Sequence, residues 1–178
     1  GQMGTTGELL HNTIADNLGE AGVRTSGNLN LTNNIIAGHT YGIRTSSTSA
    51  YVAADHTLWY NNGSNTAATG GINIRTTNDV SGDPAFTGGT DPFAAYHLTA
   101  SSTAIDAGVA TDLQIDIDGE NRAPDIGADE FPYVLHLSPD YHRSVEPSSL
   151  ITYTHTLYNS GSLPDTIQLT GTSSQGWD

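Results

Sequence analysis

Asn12-Thr13-Ile14, Asn34-Ile35-Ile36 and His56-Thr57-Leu58 start 22 residues apart, and their recurrence decides the fold. A second unit follows each: Gly22-Val23-Arg24-Thr25, Gly42-Ile43-Arg44-Thr45 and Asn73-Ile74-Arg75-Thr76. Leu10, Leu31 and Ala53 (or Val52) precede them in similar phase. Each repeat therefore offers two or three strand-sized apolar pieces, and none has a run long enough for a buried helix. Short strands at this period mark a β-solenoid, whose single coil cannot bury its inner face alone. Stacking is expected to place Ile14 on Ile36 on Leu58, and Val23 on Ile43 on Ile74. Residues 61–71 (NNGSNTAATGG) lengthen the third coil and read as a loop thrown out from one corner. Arg24, Arg44 and Arg75 would then form a column at about 4.8 Å per step. Such a column is a solvated outer ladder beside Asp16, Asp55 or Asp79, or else a cationic stripe for an acidic polysaccharide. Asn12 and Asn34 read as an inward or turn ladder.

Composition agrees with an all-β chain. Of 178 residues, 13% are charged and 35% hydrophobic, a profile of neither a helical protein nor a charge-rich disordered tail. Short β-branched runs broken by Asn, Gly and Ser point the same way. The five basic residues are all Arg, and the net charge of −14 argues against nucleic acid and anionic membranes as partners. There is no cysteine, which excludes disulfides and thiol catalysis but not secretion. No run approaches the ~20 apolar residues of a membrane span. With no signal peptide at Gly1-Gln2-Met3-Gly4, the chain reads as a segment of a longer precursor.

Beyond the repeats, Asp83-Pro84-Ala85-Phe86 is loosely echoed by Asp91-Pro92-Phe93, and Asp-Pro pairs begin turns. Tyr96-His97-Leu98-Thr99 is a further strand, and a lone His between Tyr and Leu reads as a packed side chain. Residues 104–130 carry three acidic-glycine turn units, Ile105-Asp106-Ala107-Gly108, Asp116-Ile117-Asp118-Gly119 and Asp125-Ile126-Gly127-Ala128. With Tyr96-His97-Leu98, Ser102-x-Ala104, Arg122 and Glu130, this order of motifs over residues 82–131 resembles one known pattern. It is the end of bacterial secreted right-handed parallel β-helix proteins of pectin-lyase-like architecture, the choice-of-anchor Q type. The resemblance implies a large secreted or surface protein and transfers no catalytic residue. It makes residues 104–130 the turn-rich cap that closes the solenoid.

From Phe131-Pro132 the pattern changes. Tyr133 to Leu137, Ile151 to Tyr158 and Thr166 to Leu169 read as period-2 strands, with a turn-rich linker at residues 139–149. Together with Gly176-Trp177 they resemble the immunoglobulin-like modules appended to bacterial secreted glycosidases and surface proteins. A full sandwich of that type needs ~100 residues, so residues 132–178 supply part of one. An incomplete sandwich leaves open strand edges, which a neighbouring chain or another part of the precursor could fill by strand addition.

Two chemical readings compete at the acidic stretch. With Gly119 at position 6 of an EF-hand frame, Gln114, Asp116 and Asp118 take positions 1, 3 and 5, and Asp125 takes 12. Gln is a poor first ligand, Asp is short at the last position, and Pro124 interrupts the frame. Calcium at Asp116, Asp118 and Asp125 is therefore the alternative. The preferred reading has these carboxylates shaping turns and pairing with Arg122, with no cofactor expected. No repeated carboxylate pair of the glycosidase kind is found, no lysine serves as a base, and Arg holds its proton too firmly. Asn30-Leu31-Thr32 and Asn62-Gly63-Ser64 fit the N-glycan acceptor pattern.

The sequence thus predicts an all-β chain: parallel β-helix coils and cap over 1–131, then a partial immunoglobulin-like sandwich over 132–178. The expected role is non-catalytic, extracellular or at the cell surface, in adhesion, a stalk or a filament. The expected partners are other copies or other parts of the same precursor. The alternative is carbohydrate binding or polysaccharide processing through Arg24, Arg44 and Arg75.

Overall fold

The computed structural model describes residues 6–17, 19–68, 74–92, 94–131, 136–138, 152 and 154–158. The chain divides into two compact units, Gly1–Pro132 and Tyr133–Asp178. Unit one is a β-solenoid of about three turns. Its strands are β1 (Gly7–Leu10), β2 (Thr13–Ala15), β3 (Ala21–Thr25), β4 (Leu29–Thr32), β5 (Ile35–Ala37), β6 (Tyr41–Thr45), β7 (Val52–Asp55), β8 (Leu58–Tyr60), β9 (Ser64–Ala68), β10 (Ile74–Thr77) and β11 (Val80–Ser81). They form three parallel sheets: sheet A, β1-β4-β7-β10; sheet B, β2-β5-β8-β11; and sheet C, β3-β6-β9. In unit two, β12 (His136–Ser138) pairs antiparallel with β13 (Thr156–Tyr158). The expected third strand at Thr166 to Leu169 lies outside the described residues.

Corners between sheets A and B need a left-handed residue, and each coil supplies one. His11, Asn33, His56 and Asn78 all have φ between 49° and 55°. The next corner repeats the device with Asp16, Gly38 and Asn61. Asn, Asp, His and Gly are the residues that tolerate this conformation best. The residue after the first corner forms the polar ladder. The Asn34 side chain accepts from Asn12 N and Nδ2, both at 3.0 Å, and donates to Leu9 O and Thr32 O. Two coils on, Asp79 takes the Thr57 N–H and the Trp59 indole N–H.

The coil interior is lined from all three sheets: Leu31, Val52 and Ala54 from A, Ile36 and Trp59 from B, Val23 and Ile43 from C. The registers correct four expectations. Ile14 stacks on Ile36 and then on Trp59, while Leu58 continues the column of Ile35. In sheet A, Leu9 rather than Leu10 stacks on Leu31, and then on Ala54. The described part of the expected loop, residues 61–68, is not thrown out, because Ser64–Ala68 is the third strand of sheet C. Thr66 therefore follows Val23 and Ile43, and Ile74 moves to sheet A beside Val52. The coils alternate faces strictly, so a one-residue slip moves every side chain from inside to outside.

Sheet B has a second apolar face. Ile35, Ala37 and Leu58 point away from the coil interior and pack against Leu98, Ala104 and Ile126. The later segment, expected to close the solenoid as a cap, lies as a cover along the outer flank of sheet B. Its bonds reach back to the first two coils. Ala128 N donates to Thr13 Oγ1 at 3.1 Å, and Gly127 N donates to Asn33 O at 2.9 Å. Fully burying an Ile or Leu is worth about 1.5–3 kcal/mol, so the outward faces of Ile35 and Leu58 hold the cover down.

Asn34→Ala leaves Asn12 N and Leu9 O without their side-chain partner. It is expected to lower the unfolding free energy by about 2–3 kcal/mol in urea titration, whereas Asn30→Ala on the exposed face of β4 changes it by less than about 0.5 kcal/mol.

Candidate functional site

The cover gathers most of the buried carboxylates, and main-chain N–H groups meet them. Asp116 Oδ1 accepts from Asp118 N at 2.9 Å and Glu120 N at 2.8 Å, and its Oδ2 accepts from Glu130 N at 3.2 Å. Asp125 accepts from Asp106 N at 2.7 Å on one oxygen and from Phe131 N at 2.8 Å on the other. Asp129 Oδ2 accepts from Leu98 N at 2.6 Å. Glu130 Oε2 accepts from Asp125 N at 3.2 Å while Oε1 pairs with Arg122 at 2.8 Å. Burial pushes the Asp125 carboxyl up to about 6 against the pull of its two amides. Burial and then the neighbouring Asp125 charge push Glu130 up to about 7. Asp129 is raised by burial too, with the Leu98 N–H and His97 opposing and Asp116 and Asp118 adding to it.

Arg122 is the hub of this network. It donates to Ile115 O at 3.0 Å, Ala128 O at 2.8 Å and Gly127 O at 3.3 Å, and its ion pair is with Glu130, not with the expected aspartates. Its Nη1 also lies 3.0 Å from His11 Nδ1. His11 Nε2 lies 2.9 Å from Thr111 Oγ1 and 3.0 Å from Asn33 Nδ2, so both ring nitrogens face polar partners. Burial first, then the Arg122 charge, lower the His11 pKa to about 4. A pocket of about 130 Å³ opens beside His11, Thr111 and Arg122.

The residues of the calcium alternative are not assembled as three ligands. Asp116 and Asp125 have both oxygens on main-chain amides, whereas Asp118 Oδ2 lies 3.0 Å from His97 Nε2. His97, Asp118 and Asp129 each offer an atom within 4.8 Å of the others, the single such cluster among the described residues. His97 is therefore not the isolated packed side chain expected. These positions are 21 and 11 residues apart, with no ligand-like spacing to reveal them. The Phe86–Leu98 bridge and the Asp116 turn bring them together.

The expected arginine column is broken. Arg24 and Arg44 are register partners, but Ala67 takes the third place, and Arg75 sits on β10 beside Ala53 because Ser64–Ala68 supplies the sheet C strand. Arg44 pairs with Glu20 and lies 5.1 Å from the Tyr41 ring centroid. Of the two acceptor asparagines, Asn30 is exposed on β4. Asn62 uses its amide nitrogen on Ile36 O at 2.8 Å and its oxygen on His39 N at 3.1 Å, so a glycan there would displace a coil-to-coil bond.

Comparison with family models, with curated proteins and with solved structures gives no match for this chain. Among the described residues no helix is long and apolar enough to cross a membrane.

His11 gives the cover a defined pH response. Its folded pKa of about 4 lies below the unfolded value of 6.5, so its stabilising effect is whole above pH 6.5 and is lost as pH falls through 4. The shift corresponds to roughly 3 kcal/mol. The raised carboxyls of Asp125 and Glu130 act oppositely, losing stability as pH rises toward 6 and 7. In thermal melts across pH 4–7, His11→Gln is expected to flatten the acid-side loss. An unchanged slope would show that His11 does not carry it.

Proposed function

We propose that this chain is a structural, non-catalytic segment of an extracellular parallel β-helix protein of the choice-of-anchor Q type, serving a surface, adhesive or filament role. The observation that carries this reading is the use of the acidic groups. Asp116 and Asp125, the centre of the acidic stretch, each have both oxygens occupied by main-chain N–H groups. A general acid or base needs an oxygen aimed at a substrate, and these are aimed at the chain itself. Tying the cover to the coils on their flank stiffens the solenoid laterally, which suits a spacer or stalk. The immunoglobulin-like character of unit two belongs to the same proposal and is supported by its sequence pattern.

Carbohydrate binding through sheet C is the second reading, favoured only by the Arg24–Arg44 register pair. A polysaccharide array, read for binding and for release of reducing ends, separates the two. The structural reading expects neither binding nor turnover. Binding of an acidic glycan that is lost in the Arg24→Ala, Arg44→Ala double variant would replace it with the second, and hydrolysis would overturn it.

A further inference from the structure

We propose that His97, Asp118 and Asp129 form a binding site for a divalent transition-metal ion, with zinc the best match to the donors. One imidazole nitrogen and two carboxylate oxygens converge within 4.8 Å, with His97 Nε2 already 3.0 Å from Asp118 Oδ2. A mixed N,O set suits zinc and its neighbours, whereas calcium takes six to eight oxygens. Three protein ligands leave a further position for water, and the half-exposed His97 and exposed Asp118 put that position toward solvent.

Each donor is held by the main chain around it. His97 is fixed on both sides, its N–H donating to Ala94 O at 3.2 Å and its carbonyl accepting from Thr87 N at 2.9 Å. Asp118 sits in the tight turn that the Asp116 carboxylate organises, with Gly119 at φ 86°. Asp129 is 6% exposed and has one oxygen anchored by Leu98 N. Charge balance favours a cation here. The arginine ion pairs among the described residues are Arg44–Glu20 and Arg122–Glu130, so neither Asp118 nor Asp129 has a guanidinium partner. A dication would neutralise two closely spaced carboxylates and cross-link three separate parts of the cover. Because zinc binds the folded arrangement, it would also raise the melting temperature.

The test uses the full chain, stripped with a chelator and titrated with zinc alone against a chromophoric chelator. The expected result is one zinc per chain and a zinc-dependent rise in melting temperature. His97→Ala and Asp118→Asn should each weaken binding by at least about tenfold, since even outer-shell changes cost 10–100-fold. His56→Ala, which alters a separate His–Asp pair, should leave affinity unchanged. His97 and Asp118 are partly exposed, so their variants keep the test valid if Asp129→Asn fails to fold. Unchanged zinc affinity in His97→Ala, or no melting shift at millimolar zinc, would overturn the proposal and leave a plain His97–Asp118 ion pair.

Discussion

Asn33 is the residue on which both halves of unit one depend. Its left-handed backbone, φ 55°, turns the chain from sheet A into sheet B, and its N–H bonds Asp55 O of the next coil at 3.2 Å. Its side chain then meets the cover as a fork, accepting from Val109 N at 3.0 Å and donating to Val109 O at 2.6 Å. Its own carbonyl takes Gly127 N. A fully buried amide with this many partners tolerates no apolar substitute, because every bond lost leaves a desolvated group behind. One residue therefore serves as corner through its backbone and as latch through its side chain.

The packing explains why the latch is needed. A solenoid sheet normally turns one face to water, yet β5 is buried on both. Its outward residues would form an exposed apolar patch if the cover were absent. The cover is turn-rich, and its apolar contribution comes from Leu98, Ala104 and Ile126 with Phe86, Ala107 and Phe131 packed at their edge. Its order comes also from carboxylates that accept main-chain amides. In a chain with 19 acidic and five basic residues, most acidic groups cannot find an arginine, and the backbone N–H is the donor in supply. The cost is desolvation, visible in the raised pKa values of Asp125 and Glu130.

Much of this was legible from residues. The repeat of Asn-Thr-Ile and its partners implies stacked coils, and Asn12 and Asn34 form the ladder that their matched positions suggest. The lateral cover had a signal too: the adjacent Ile35-Ile36 and Leu58-Trp59 pairs break the alternation of a half-exposed strand, as sheets buried on both faces do. The left-handed corner column of His11, Asn33, His56 and Asn78 was equally present, at spacings of 22, 23 and 22 residues. Arg75 misled because its Asn-Ile-Arg-Thr context copies Gly-Ile-Arg-Thr, and local similarity carries no information about which sheet a strand joins. The His97, Asp118 and Asp129 cluster had no signal at all, since nothing in their spacing relates them.

What the sequence determined by itself is the class of architecture. Periodicity, β-branched runs and turn residues are local properties, and a coil repeat of about 22 residues admits few folds besides a solenoid. Only the tertiary structure decided register, the flank position of residues 98–131, and which charges meet. These depend on contacts between segments as distant as Asn33 and Val109, 76 residues apart. Such contacts are chosen by how well buried amides and apolar faces are satisfied together, and a linear pattern does not encode that joint condition.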